Sequence, residues 1–388
     1  MQHPTIEALE AHDKQIRAWS YLPQTIEPPS EGPLNGLTFG VKDVIDVRGM
    51  PTCYGANFPN KAPALFDAAC VARLKMAGAT VLGKTVTAEF AYKAPGPTRN
   101  PLNLAHSPGG SSSGSAAAVA AYMADFSLGT QTGGSMMRPA AFTGLLGFKP
   151  SFGIVHRAGM FLLCDTLDTL GWFTRDISTM RAVSQVLLPM PAHASMPSHR
   201  IAMMSLSHLH AVHPAFEQIF ESFEAQASKV GYECIQIEND EQAHELLTLH
   251  GQIMHYEMAQ ALLPVWQACD DALRAETIND IKTGLAIPSS DYQQWQTRRR
   301  DLQIQWAERY AQYDAIVTPA STGPAPLGIQ STGSSILNRI WSLLGWPCMN
   351  MPYGQANGLP LGLQVVGRPH QDKNLLELLD VLVQQASN

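Results

Sequence analysis

Two clusters of glycine and serine mark the stretch 105–150, AHSPGGSSSGSAAAVAAYMADFSLGTQTGGSMMRPAAFTGLLGFKP. The first holds Gly109, Gly110, Ser111, Ser112, Ser113, Gly114 and Ser115, and the second holds Thr132, Gly133, Gly134 and Ser135. A flexible linker has such a composition but carries few apolar residues. Here the clusters bracket 116–124, a run of alanines with Val119, Tyr122 and Met123 that favours a buried helix. Glycine permits positive φ and close approach of the backbone, so Gly133 and Gly134 can turn successive N–H groups toward one point and make an anion hole. A serine closing that turn has its hydroxyl beside those donors. Acyl transfer needs this arrangement, because a nucleophile must attack a carbonyl whose oxygen becomes negative in the transition state. Serine is a weak nucleophile at its own pKa, so a base is also required, and neither cluster supplies one.

The elements that must position these groups read as an α/β chain. Residues 4–20 form a short amphipathic helix and 23–33 a proline-rich turn. Residues 37–41 are strand-like, Lys42 and Asp43 interrupt them, and 44–47 resume the strand before a turn at Gly49, Met50 and Pro51. Lysine is rarely buried unless paired, so Lys42 is either in a structural ion pair with Asp43 or Asp46 or held in the core for chemistry. A helix over 67–77 stops at Gly78 and a strand follows over 79–82. The string 78–85 matches G-x-x-x-x-G-K-[ST], but a phosphate loop follows a strand and opens a helix; here that order is reversed, so nucleotide binding is set aside.

A strand over 126–131 enters the Thr132–Ser135 turn, and Arg138 and Pro139 lead a helix through Leu145. A strand over 200–206, a helix begun by Pro214 with Phe216, Ile219, Phe220 and Phe223 on one face, and a strand over 232–237 extend a parallel sheet. His208, His210 and His213 lie in a strand-to-helix turn with no acidic or cysteine partner nearby, which reads as surface rather than a metal site. Two long helices, 241–268 and 291–312, the second capped by Ser290, read as a helical cover. Strands follow over 315–318, 347–352 and 361–366, with a loop over 322–333 and a C-terminal helix over 374–385.

Composition narrows the function. A chain of 388 residues with 45% hydrophobic and 15% charged residues is ordinary globular protein, and a formal charge of −7 leaves no basic footprint for nucleic acid. The N-terminal residues contain no apolar core of a signal peptide, and nowhere do enough apolar residues run together to span a membrane, so the expected location is cytoplasmic. Six scattered cysteines without a C-x-x-C pair fit reduced, mostly buried thiols.

Five segments, GLTFGVKDVIDVRGMPT, AGATVLGKT, SPGGSSSGSAAAVAA, GTQTGGSMMRPAAFTGLLGFKPSFGIV and GLPLGLQVVGRP, resemble the amidase signature family in order and separation. The likeness is dense over 32–176, looser over 313–384 and weak over 190–312. It implies one domain over 1–388, with 190–312 a variable, largely helical region covering the active site. The implied fold is α/β, a mixed central β-sheet covered by helices on both faces. The implied chemistry is hydrolysis of carboxamides, or transfer of ammonia from them, with no metal and no cofactor. By this resemblance Lys42 is the base, Ser135 the nucleophile and Ser111 the serine bridging them, with a cis peptide between Gly110 and Ser111. The N–H groups of Thr132, Gly133, Gly134 and Ser135 are the implied oxyanion hole. Lysine must be neutral to accept a proton, and burial favours that form.

Three positions depart from the family pattern. Gln131 stands where aspartate is usual, Ser113 where glycine is usual, and Met137 where arginine is common. The first bears on polarity near the turn, and Ser113 would be strained if its site needs positive φ. Arg138, about one helical turn beyond Ser135, is either a structural ion pair or a substrate-binding residue that receives a substrate carboxylate. Phe90, Tyr92, Phe161, Trp341 and Trp346 are candidates for pocket wall or core. The expected partner is a small-molecule amide, with no nucleic acid and no membrane, and a homodimer stays open. A glutaminase subunit of an amidotransferase, which needs a partner, and an inactive scaffold on the same fold are the alternatives.

Overall fold

The sheet is built from two halves of the chain. Strands β1 (Trp19–Tyr21), β2 (Thr38–Lys42), β3 (Thr80–Thr85), β4 (Phe126–Gln131), β5 (Leu146–Lys149) and β6 (Thr169–Thr174) come from the first half. Strands β7 (Arg200–Met203), β8 (Glu233–Gln236), β9 (Ala315–Pro319), β10 (Cys348–Ala356) and β11 (Leu359–Gly367) come from the second. In the computed structural model, which describes residues 5–56, 58, 62–189, 198–238 and 242–386, they form one sheet ordered β1-β3-β2-β4-β6-β5-β10-β11-β9-β7-β8. It is mixed: β2 is parallel to β3 and β4, β7 is parallel to β8 and β9, and the pairs from β4 through β6, β5, β10 and β11 to β9 are antiparallel.

Helices pack on both faces because buried strand residues alternate between two cores. Ile201, Met203, Trp172, Val317 and Val365 join one apolar cluster, while their neighbours Ala202, Phe173, Ile316 and Val366 join another. Helices α1 (Ile6–Ile16) and α2 (Ala69–Met76) precede α3 (Ser113–Ala120) and α4 (Met137–Thr143), the two that flank the glycine turns. Next come α5 (Ile177–Leu187), α6 (Ala215–Lys229), α7 (Gln242–Ala268), α8 (Ala275–Leu285), α9 (Ser289–Arg309), α10 (Ile336–Leu344) and α11 (Asp372–Ala386). The first cluster takes α2, α5, α6 and α11, and the second takes α4, α7, α9 and α10. Among the described residues no helix is long and apolar enough to cross a membrane.

Several expectations from the sequence are corrected. Residues 44–47 are not a second strand segment: after Lys42 the chain turns, and the amides of Val44 and Ile45 bond back to the Lys42 carbonyl. β3 runs on through Gly83, Lys84 and Thr85, so the phosphate-loop string is mostly strand. α3 ends at Ala120, leaving Tyr122 with positive φ and 78% exposed rather than inside a buried helix. Ser290 lies within α9, whose N-cap is Pro288. Cys70, Cys164 and Cys348 are buried, but Cys53, Cys234 and Cys269 are half-exposed. β1, β5, β6, α5, α8 and α10 had no counterpart in the sequence reading; the three helices carry a clear apolar period that was passed over.

The structural ion pair considered for Lys42 belongs to Lys84. Register sets Val41 beside Lys84 and Lys42 beside Thr85, so by alternation Asp43 falls on the side of Lys84 and Lys42 faces the other way. Lys84 Nζ lies 3.0 Å from Asp43 Oδ1 and donates to Thr52 Oγ1 at 2.8 Å and the Pro51 carbonyl at 3.1 Å. Both charges are buried, and removing one partner strands the other in the core. Lys84→Met is therefore expected to lower stability by about 3–5 kcal/mol in denaturant unfolding, with much of that loss recovered in Lys84→Met/Asp43→Leu; a single variant within about 0.5 kcal/mol of wild type would contradict the assignment.

Candidate active site

β2 and β4 are parallel neighbours, in register from Phe39 beside Phe126 to Val41 beside Leu128, so Lys42 at the end of β2 lies close to the last residues of β4. Lys42 Nζ lies 2.7 Å from Thr130 Oγ1, 3.5 Å from the Thr130 carbonyl and 2.8 Å from Ser111 Oγ. The lysine is fully buried and Ser111 is 1% exposed. Burial pulls the amine from 10.5 down to about 7, with the charge of Asp168 acting against it. The Gly110–Ser111 peptide is cis. Ser113 opens α3 without positive φ, so the strain considered for it does not arise, and its hydroxyl faces the Val86 carbonyl at 3.4 Å.

Between β4 and α4 the chain passes through Thr132, Gly133, Gly134 and Ser135. Among the described residues the N–H groups of these four donate to no protein acceptor. The turn is held by side chains instead. Gln131 Oε1 accepts from the amides of Met136 at 2.8 Å and Met137 at 3.2 Å, while its Nε2 donates to Ser342 Oγ at 3.0 Å. Ser342 in turn donates to the Gly133 carbonyl at 2.8 Å. Thr132 Oγ1 donates to Asp168 Oδ1 at 2.5 Å, and His250 Nε2 donates to the Thr132 carbonyl at 2.9 Å. Gln131 thus supplies the acceptor that aspartate would and adds a donor toward α10, while Met137 is buried in the core.

Neither Gly133 nor Gly134 has positive φ, contrary to the role expected of them. Gly134 is needed for space: a Cβ there would lie 2.4 Å from Asn338 Oδ1 and 2.9 Å from Ser335 Cβ, where the start of α10 presses on the turn. Ser135, 8% exposed, opens onto a cavity of about 250 Å³ walled by Tyr92, Arg138, His250, Thr332 and Arg339. Of the aromatic candidates only Tyr92 reaches this cavity; Phe90, Trp341 and Trp346 are core, and Phe161 packs against both apolar clusters.

The sequence reading missed Thr130, Asp168, His250 and Arg339. Asp168 directly precedes β6, and the register pairing Gln131 with Thr169 brings it opposite Thr132. It accepts from the amides of Leu163 and Cys164, and burial pushes its carboxyl up to about 6 against those bonds. His250 was detectable, since with Leu246, Leu249 and Ile253 it completes an apolar face of α7. Burial first, then the Arg339 charge, lowers this imidazole to about 3, so it stays neutral. Arg138 is 5% exposed and forms no ion pair among the described residues; its Nη2 donates to the Gly110 carbonyl at 2.5 Å and Thr332 Oγ1 at 3.2 Å. Among the described residues no group of three or more His, Cys, Asp or Glu side chains is placed to hold a metal ion.

This fold and this site define an amidase-type α/β enzyme, and the chain belongs to the Amidase family, whose model matches residues 3–376. It is 32% identical over 404 residues to Amidase 1 of Oryza sativa subsp. japonica, covering 92% of each chain. It is also 32% identical over 400 residues to a glutamyl-tRNA(Gln) amidotransferase subunit of Symbiobacterium thermophilum, covering 89% of this chain and 82% of the relative. A crystal structure of an amidase superposes with a TM-score of 0.86 at 27% identity, over 98% of this chain and 95% of that one.

Replacing Gln131 by leucine would leave the amides of Met136 and Met137 without an acceptor and break the tie to Ser342. Each buried donor left unpaired costs about 1–3 kcal/mol. Gln131→Leu is expected to be destabilised by at least that amount in thermal unfolding and to lose catalytic rate, whereas Gln131→Glu, which keeps the acceptor, should retain more of both; equal losses in the two would remove the acceptor role.

Proposed function

We propose that the protein is a stand-alone amidase that hydrolyses the C–N bond of a small linear carboxamide outside peptide bonds, through an acyl-enzyme on Ser135 and without metal or cofactor. The observation that carries this reading is a buried lysine that meets no carboxylate among the described residues, 2.8 Å from Ser111, beside a turn that ends at Ser135 and whose amides donate to no acceptor there. A neutral amine has two N–H groups and one lone pair. The hydroxyl and carbonyl oxygens of Thr130 take the donors, which leaves the lone pair to face the Ser111 hydroxyl.

In the proposed reaction Ser135 Oγ attacks the amide carbon while its proton passes to Ser111 Oγ and the Ser111 proton passes to Lys42. Negative charge develops on the former carbonyl oxygen, where the N–H groups of Thr132, Gly133, Gly134 and Ser135 receive it, a contribution of about 3–4 kcal/mol for a well-placed donor. Collapse breaks the C–N bond, and the proton held by Lys42 returns through Ser111 to the leaving nitrogen, which departs as ammonia or an amine. Water then attacks the ester by the same relay and restores Ser135. Arg138 is assigned to substrate binding, since it borders the cavity one turn beyond the nucleophile. The likeness to an amidotransferase subunit supports a second reading, a glutaminase that works with a partner. Glutaminase activity strongly stimulated by a second subunit would favour it, while failure of a fluorophosphonate probe to label Ser135 would favour an inactive scaffold.

Ser135→Ala is expected to fold normally and to lose turnover by about three orders of magnitude or more, while hydroxylamine added to wild type diverts acyl groups to hydroxamate. Activity of the purified variant within a few-fold of wild type would end the assignment.

The pH dependence follows from the base having to be unprotonated. With its pKa lowered by burial to about 7, Lys42 is protonated below that value and neutral above it. Accordingly kcat/KM should rise through about pH 7 and level off on the alkaline side, chelators should have no effect, and Lys42→Met should be nearly inactive at every pH. A profile that falls as pH rises through neutrality would contradict the mechanism.

A further inference from the structure

Among the described residues, the cavity before Ser135 is lined by three cationic side chains, Lys93, Arg138 and Arg339, and by no aspartate or glutamate, in a chain whose formal charge is −7. Lys93 is compensated at the rim: its Nζ lies 2.7 Å from Asp280 Oδ2, which also accepts from Tyr92 Oη at 2.9 Å. The two guanidiniums are not. Among the described residues Arg138 donates to the uncharged Gly110 carbonyl and Thr332 hydroxyl alone, and its buried Nε–H meets no acceptor. Arg339 Nε donates to Ser335 Oγ at 3.0 Å, and neither arginine is ion-paired among the described residues. Burial, with the Arg339 charge adding to it, draws Arg138 down to about 9, and burial lowers Arg339 as well. Like charges withdrawn from water without a counter-ion are unfavourable unless something that binds there supplies one.

We propose that Arg339 and Arg138 together form a subsite for a carboxylate carried by the substrate, so that the substrates are small amides bearing an acid group close to the carboxamide. The proposal rests on the amidase reading given above. Arg138 holds the carbonyl of Gly110, the residue before Ser111, so an anion on its free edge sits near the reacting carbon. A cavity of about 250 Å³ lies below the usual range for drug-sized ligands and limits the chain between the two groups. The planar fork of each guanidinium matches a carboxylate. Arg339, on the first turn of α10 and held among the described residues by Ser335 alone, is the side chain placed to close on it.

Binding is read apart from turnover by titrating Ser135→Ala protein calorimetrically with succinic acid monoamide and with its methyl ester. The acid is expected to bind about tenfold or more tightly than the ester, with a preference that shrinks as salt is raised. That acid-to-ester ratio should fall toward one in the Arg339→Gln background and be partly kept by Arg339→Lys, with circular dichroism confirming that each variant is folded. Equal affinity for acid and ester, absence of binding by either, or a ratio undiminished by Arg339→Gln and Arg138→Met alike overturns the subsite. The two readings fail separately. An acid preference in binding without ammonia release from any amide by wild type keeps the subsite and removes the hydrolysis, whereas hydrolysis with acid and ester treated equally does the reverse.

Discussion

A lysine amine sealed from water and denied a carboxylate is the constraint on which the site depends. A lysine–carboxylate pair would hold its proton, because the opposite charge favours the ammonium. The fold avoids this by giving the available acid to another lysine. Asp43, the residue after Lys42, pairs with Lys84 on the opposite side of β2, and only the more distant charge of Asp168 acts on Lys42. One buried lysine is therefore charged and structural, tying the end of β2 to β3, while the other is left close to neutrality beside Ser111.

The same economy governs the turn after β4. Buried backbone groups ordinarily satisfy one another, yet among the described residues the amides of Thr132, Gly133, Gly134 and Ser135 meet no acceptor. The turn's carbonyls and flanking amides are consequently fastened by side chains from separate parts of the chain: Gln131 on β4, Asp168 before β6, His250 on α7 and Ser342 on α10. His250 reaches the turn from α7, more than a hundred residues further along the chain. That helix supplies both a wall of the cavity and a fixed support for the turn beneath it.

The chain belongs to the Amidase family and is equally similar to relatives described as an amidase and as an amidotransferase subunit. The walls of the cavity come from other parts of the chain than the strands and turns beneath them. Tyr92, His250, Thr332 and Arg339 reach the cavity from a short helical turn, a cover helix, a loop and the start of α10, and their charges and shapes are independent of Lys42 and Ser135.

Much of the frame was legible in the residues themselves. Apolar runs located β2, β4, β7, β8 and β9, with glycine before β2 and β8 and Pro319 closing β9, helical spacing located α6, α7 and α11, and the two glycine–serine clusters marked the turns that bear Ser111 and Ser135. These signals are local, since a strand or helix declares its buried face by a period of a few residues. What could not be read was partnership across the chain: that Asp43 belongs to Lys84, that Gln131 substitutes for an acid by spanning to Ser342, that Gly134 is required by the approach of Asn338 rather than by its φ, and that Arg138 lacks a carboxylate while Arg339 stands at the same cavity. Each of these depends on sheet register and helix placement, which bring together residues from distant parts of the chain, and only the folded arrangement decides which charges are paired, which are buried alone and which amides stay free.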